Sequence, residues 1–99
     1  MTRLMHKAIG HYGAKDQLEK TIEELDELRE VVERQAAHVM EREEHLIEEV
    51  ADVYNMLDQV CILYDIADDV RDMALAKMER TGRRIDREAE NGGNQAAGD

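Results

Sequence analysis

Hydrophobic residues recur every three or four positions along three stretches of the chain, which is the spacing of helices with one apolar side. The first stretch covers about residues 16–36, and the second runs from residue 42 or 43 to Tyr64. The third follows a bend within the segment YDIADDV and continues to about Ala89. Residues 1–15, interrupted by glycines, predict a short and loosely held N-terminal helix followed by a turn. The pattern therefore predicts an all-α protein with three main helices.

Two of these helices carry more specific signals. Asp16 is followed three residues later by Glu19, the spacing of a capping box, which predicts Asp16 as the N-cap of the first long helix. The second helix has a regular apolar seam, and its C-terminal half is apolar almost all round, which predicts neighbours on several sides. The predicted seam consists of Ile47, Val50, Tyr54, Leu57, Cys61 and Tyr64.

Acidic residues interrupt the apolar side of the second helix. On an ideal helical wheel, Glu49 and Asp52 fall on the same side as Val53 and Met56. A carboxylate that is buried without a partner costs several kcal/mol, so these positions need an explanation. A solvated face, or pairing with basic residues of another helix, is the simplest one.

A metal site explains the acids better. Glu27, Glu49 and Asp52 have no Lys or Arg three or four residues away, although other acids of this chain do. The first long helix offers Glu24 and Glu27, and the second offers Glu49 and Asp52. If the two helices pack side by side and antiparallel, four carboxylates converge on one point, and such oxygen ligands suit Mg²⁺ or Mn²⁺.

Composition limits the remaining possibilities. Ninety-nine residues without proline, phenylalanine or tryptophan predict one helical domain over residues 1–90, packed as an antiparallel bundle, with a disordered tail over 91–99. The formal net charge of −11 argues against nucleic acid and anionic membranes as partners. A lone cysteine, Cys61, and the absence of a long apolar run make the cytoplasm the expected compartment.

The acidic residues also form a recognisable motif. Glu23-Glu24-Leu-Asp-Glu27, followed after 21 residues by Glu49-Val-Ala-Asp52, resembles the EExxE…ExxD motif of the MazG-like all-α nucleoside triphosphate pyrophosphohydrolases. The surrounding segments QLEKTIEELDEL and LIEEVADVYNMLDQV are similar to small phage and bacterial members of that superfamily. The resemblance covers roughly residues 8–85.

The resemblance implies Mg²⁺-dependent hydrolysis of a nucleoside triphosphate between its α and β phosphates, which yields a nucleoside monophosphate and pyrophosphate. It implies a homodimer or homotetramer in which paired helices complete four-helix bundles. It also implies that Glu24, Glu27, Glu49 and Asp52 hold the metal, with Mn²⁺ as a substitute. Glu23, or a carboxylate of the cluster that remains free, would orient or deprotonate the attacking water.

Binding of the substrate needs further residues. The third helix carries a basic stripe in which Lys77 and Arg80 are candidates for the phosphates, although a solvated helix end explains the stripe equally well. Arg87, further along the stripe, fits the solvated end better. Tyr54 and Asn55 follow the second motif and are candidates for the nucleobase, but packing is the favoured role for Tyr54.

Other functions stay open. The chain could be a non-catalytic acidic helical module that binds a basic partner. It could also be a metal-dependent binder or hydrolase of another phosphorylated metabolite. DNA regulation ranks third, because no basic recognition helix follows a glycine turn and the net charge is negative.

Overall fold

The computed structural model describes residues 2–37 and 43–92, and within these ranges the protein is helical, with no strand. The all-α class predicted from the sequence is confirmed. Helix α1 continues through Gly10, where a break was predicted, and the starts and ends of the later helices lie within about two residues of the prediction. The four helices are α1 (Thr2–Tyr12), α2 (Ala14–Ala36), α3 (Glu43–Tyr64) and α4 (Ala67–Asn91).

The start of α2 differs from the predicted capping box. The N-cap is Gly13, and no side chain makes a cap hydrogen bond there. Gly13 has a φ of 91°, a left-handed conformation that glycine adopts without steric cost, so α2 can begin directly after α1. Asp16 instead lies in the first turn of α2, where its negative charge interacts favourably with the helix N-terminus. The prediction of Asp16 as N-cap was therefore wrong.

Helices α2 and α3 pack against each other in opposite directions. Gln17, early in α2, donates a hydrogen bond of 2.6 Å to Gln59, late in α3. Glu24, further along α2, lies beside Asp52, which comes earlier in α3. The two contacts run in opposite order along the two helices, so the helices are antiparallel. The apolar residues that they and α1 bury are Met5, Val31, Val53 and Met56.

The predicted apolar seam of α3 is not its buried side. The buried residues of α3 are Val53, Met56 and Gln59, whereas Tyr54 is 67% exposed and Ile47 is 60% exposed. Helix α3 carries apolar residues on more than one side, and it packs against α1 and α2 with the side that includes Val53 and Met56. The seam prediction was wrong because apolar spacing alone does not say which of two apolar sides a neighbour covers.

The chain divides into two compact units, residues 1–65 and residues 66–99. The first unit contains α1, α2 and α3, and the second contains α4, none of whose residues is buried. A single domain over 1–90 therefore stays a prediction. The predicted disordered tail lies mostly outside the described residues, which end at Gly92. Among the described helices, none combines the length and the apolar character that crossing a bilayer requires.

Candidate metal centre

Three carboxylates meet between α2 and α3. One oxygen each from Glu24, Glu49 and Asp52 lies within 4.8 Å of the other two. The Glu24 side chain is only 8% exposed and the Glu49 side chain only 12% exposed, while Asp52 lies at the solvent-accessible edge. Glu49 and Asp52 are three residues apart on α3, so one turn of helix presents both to Glu24. The structure thus brings together three of the four predicted metal ligands.

Two of the oxygens in this cluster are buried without a partner. Glu24 Oε2 and Glu49 Oε2 are inaccessible to solvent and accept no hydrogen bond from any described residue. Burying an ionised carboxylate costs several kcal/mol unless a positive charge or hydrogen-bond donors compensate. Carboxylate oxygens that converge in this way are the hard ligands that Mg²⁺ and Mn²⁺ prefer. The residues present therefore fit a divalent cation held by oxygen.

The fourth predicted ligand, Glu27, lies at the margin of the cluster. Its side chain is exposed, and the negative charge of Glu24 raises its pKa, with smaller contributions from partial burial and from Glu49. Burial raises the pKa of Asp52, and the charges of Glu24 and Glu49 add to that rise. Neighbouring carboxylates contribute to both shifts, because like charges gathered close together favour the protonated form.

Two basic side chains reach the cluster. Lys20 Nζ lies 3.1 Å from Glu24 Oε1 and 3.7 Å from Glu23 Oε2. The hydrogen bond to Glu24 raises the pKa of Lys20. His45 Nε2 lies 3.4 Å from Glu49 Oε1, so Glu49 has a histidine neighbour on its own helix, although it has no Lys or Arg there. These contacts engage one oxygen of each glutamate and leave the other without a partner.

Glu23 lies outside the three-carboxylate group. Its side chain is 64% exposed and forms an ion pair with Lys20. Its predicted role as the base that activates water stays a prediction. Lys20 is the functional candidate that the sequence analysis did not name. Its spacing of four residues before Glu24 was the available signal.

A groove of about 530 Å³ lies next to the centre. Lys20 belongs to both, because it lines the groove and contacts Glu24. Gln17 and Met56 lie in the wall of the groove, and both are buried. No sequence motif pointed to this groove, because its walls come from three different helices. The lining residues are Tyr12, Asp16, Gln17, Glu19, Lys20, Glu23 and Met56.

The residues predicted to bind substrate lie elsewhere. Tyr54 and Asn55 line a second groove of about 480 Å³, together with apolar residues such as Ile47 and Val50. The favoured packing role of Tyr54 was wrong for the single chain, because its side chain is 67% exposed. Lys77 and Arg80 are exposed on α4 in the second unit, and their phosphate-binding role stays a prediction.

Comparison with protein-family models, with curated proteins and with solved structures gives no match to this chain. The likeness to the MazG-like superfamily therefore rests on the motif residues themselves, and the activity that it implies is a proposal.

Stability should respond to pH and Mg²⁺ through Asp52. The pKa of its carboxyl is raised in the folded chain, so folding favours the protonated form. Stability contributed by this group is present below the ordinary pKa of 3.8 and declines as pH rises through the raised folded value. Without divalent cations, Asp52→Asn should therefore melt at a higher temperature than wild type at neutral pH.

In saturating Mg²⁺, wild type should instead melt at a higher temperature than Asp52→Asn. At a concentration one hundred times the dissociation constant, Mg²⁺ stabilises a binding protein by about 2.7 kcal/mol, and Asp52→Asn should gain less. Thermal unfolding with and without Mg²⁺ measures both effects. Asp58→Asn, a change at an exposed acid of the same helix, is the matched control and should preserve the wild-type response. A wild-type melting temperature that does not move with Mg²⁺ or Mn²⁺ would count against the metal centre.

Proposed function

We propose that this chain is a Mg²⁺-dependent nucleoside triphosphate pyrophosphohydrolase, which cleaves its substrate between the α and β phosphates. The observation that carries the proposal is the convergence of Glu24, Glu49 and Asp52, with two buried carboxylate oxygens that no described residue satisfies. The motif that these residues form in the sequence supports the same activity, because it resembles that of the MazG-like enzymes.

Glu24, Glu49 and Asp52 hold the divalent cation in this proposal, with Glu27 as a fourth ligand from the edge. When bound, Mg²⁺ supplies positive charge that offsets the triphosphate and makes water more acidic. Glu24 and Glu49 are suited to this task because packing fixes them, so little side-chain entropy is lost on binding. Mn²⁺ can take the same place, since it prefers the same ligands.

A carboxylate that the metal leaves free, either Glu23 or a member of the cluster, orients or deprotonates the attacking water. Lys20 then contributes to the phosphates. Its side chain is half-exposed, and its ammonium group carries three hydrogen-bond donors. A cation at Glu24 competes with Lys20 for that carboxylate, which leaves the ammonium group available for a phosphate oxygen. In the absence of substrate, Lys20 reduces the repulsion among the acids.

The alternative functions predict different products. A non-catalytic acidic module would release no pyrophosphate from any nucleotide, while a hydrolase of another phosphorylated metabolite would act only on sugar phosphates or related compounds. Incubation with Mg²⁺ and a panel of ribonucleotides, deoxyribonucleotides and sugar phosphates, followed by mass analysis, separates these cases. The proposal requires a nucleoside monophosphate and pyrophosphate as the paired products.

Removal of a metal ligand should abolish turnover. Glu27→Gln and Asp52→Asn should each lower kcat/KM by about 100-fold or more, the equivalent of about 2.7 kcal/mol of transition-state stabilisation. The measurement is pyrophosphate release on the best nucleotide of the panel. Glu30→Gln is the matched control, because Glu30 is exposed on the same helix and outside the cluster. Wild-type turnover in either ligand variant would refute the site.

The basic stripe of α4 should affect substrate binding. If Lys77 and Arg80 contact the phosphates, changing either to Ala removes a charge-assisted hydrogen bond and should raise KM by about tenfold. The chemical step should be little affected, so kcat should stay near the wild-type value. Arg87→Ala is the control and should leave both constants unchanged. An unchanged KM in both Lys77→Ala and Arg80→Ala would exclude the phosphate role.

Association of copies completes the proposal. The exposed apolar side of α3, which includes Ile47, Tyr54 and Leu57, is the surface that a second copy would cover to form a four-helix bundle. Sedimentation should therefore give a homodimer or homotetramer, and Ile47→Glu should shift it toward the monomer. Glu48→Lys, a charge change at an exposed neighbouring position, is the control for altered net charge. A monomeric wild-type protein at high concentration would contradict this assembly.

A further inference from the structure

The groove beside the metal centre is placed to receive the rest of a nucleotide. Gln17 in the groove wall lies seven residues before Glu24 on the same helix, a rise of about 10 Å, comparable with the length of a nucleoside. Lys20 lies between them, since it lines the groove and contacts Glu24 at 3.1 Å. A nucleotide whose phosphates lie at the carboxylates therefore reaches the groove with its base.

The wall of the groove holds a buried amide that is hydrogen-bonded to a second amide. Gln17 is 7% exposed, and its Nε2 donates a hydrogen bond of 2.6 Å to Gln59 Oε1. Gln59 Nε2 in turn lies 3.8 Å from the sulfur of Met56. With the nitrogen of Gln17 directed to Gln59, its oxygen, Oε1, is left as a hydrogen-bond acceptor to which no described residue donates.

The other polar groups of the groove are also mostly acceptors. Asp16, Glu19 and Glu23 contribute carboxylates, which accept hydrogen bonds and donate none when ionised. Lys20 is the cation among the lining residues, and it is directed to Glu23 and Glu24. A ligand that presents hydrogen-bond donors thus matches the groove, whereas one that presents oxygen at the same place meets acceptor against acceptor.

We propose that this groove binds the nucleobase and, through Gln17 Oε1, selects bases with an amino group at pyrimidine C4 or purine C6, namely cytosine and adenine. Uracil and hypoxanthine carry a carbonyl oxygen at the equivalent position and leave Gln17 without a donor. The ring of Tyr12, at the edge of the groove, offers an aromatic surface for the base. The inference rests on the proposed function for the placement of the phosphates, and it moves base selection from Tyr54 and Asn55 to Gln17.

Gln59 has a different role in this scheme. It does not line the groove, and it acts by holding the nitrogen of Gln17 so that the oxygen stays available. Gln59 is therefore a positioning residue, and its loss should weaken the discrimination between bases more than the affinity for any one nucleotide.

Binding of analogues that cannot be hydrolysed tests base selection apart from catalysis. The probes are the α,β-methylene analogues of CTP, UTP, ATP and ITP, measured by calorimetry in Mg²⁺. The CTP analogue should bind about tenfold or more tightly than the UTP analogue, and the ATP analogue should exceed the ITP analogue similarly, because a base that covers the acceptor Gln17 Oε1 and offers it no donor pays the cost of removing it from water. Equal affinities within both pairs would overturn the inference.

The variant Gln17→Met keeps the side-chain length and removes the acceptor, so both affinity ratios should fall to near one. Because it leaves Gln59 without its hydrogen bond, the double variant Gln17→Met with Gln59→Met provides a second test in which both partners become apolar. Gln35→Met, on the exposed part of the same helix, is the matched control. Manganese binding, followed by electron paramagnetic resonance, verifies that each variant retains the metal centre.

The outcomes separate this inference from the proposed function. Wild-type ratios that persist in a folded, manganese-binding Gln17→Met or double variant would overturn the assignment of Gln17. Release of pyrophosphate from CTP, UTP, ATP and ITP at equal rates, with equal affinities for their analogues, would retain the proposed function and exclude the base selection. Selective binding that depends on Gln17, without hydrolysis of any nucleotide, would retain the base selection and exclude the proposed function.

Discussion

The burial of two acidic side chains between α2 and α3 is the constraint on which the rest of this structure depends. Glu24 and Glu49 each place one oxygen where neither water nor a described donor reaches it. A small helical unit with few buried apolar residues has a low free energy of unfolding, so the cost of burying these carboxylates is a large fraction of it. Lys20 and His45 lie against only the other oxygen, Oε1, of Glu24 and Glu49 respectively. A divalent cation is the partner whose charge and ligand preference fit the remaining ones.

The interface between α2 and α3, which buries these acids, also determines how the two helices align along each other. Helices α2 and α3 bury Gln17, Thr21, Glu24 and Gln59 alongside their apolar residues. A shift of one helix along the other would separate Gln17 from Gln59 and Glu24 from Asp52, leaving polar groups unpaired. The polar residues thus fix the register of the pair, at some expense in stability. Such a trade is common at functional sites, where residues are retained for chemistry.

The cluster of Glu24, Glu49 and Asp52 and the neighbouring groove both belong to the first unit. Lys20 belongs to both, and a single side of α2 carries Gln17, Lys20, Glu24 and Glu27 in sequence. This order places an amide, a cation and two carboxylates along one line. A nucleotide has a matching order, with a base that forms hydrogen bonds at one end and phosphates that require cations at the other. The correspondence connects the proposed activity with the proposed selection of the base.

The sequence by itself determined the helices and the acidic set, because both depend on local spacing. Periodic apolar residues predicted the main helices, and the position of Glu49 and Asp52 within an apolar arc identified carboxylates that normal solvation does not explain. The start of α2 at Gly13 depended on a backbone conformation that the Asp16 capping pattern did not reveal.

Only the tertiary structure decided which side of α3 is covered, because that helix is apolar on two sides and its spacing favours neither. The groove and the pairing of Gln17 with Gln59 were equally inaccessible to the sequence, since residues 42 positions apart meet only when two helices pack in one register. Local spacing determines which residues share one side of a helix, and packing determines which residues of the other helices they contact.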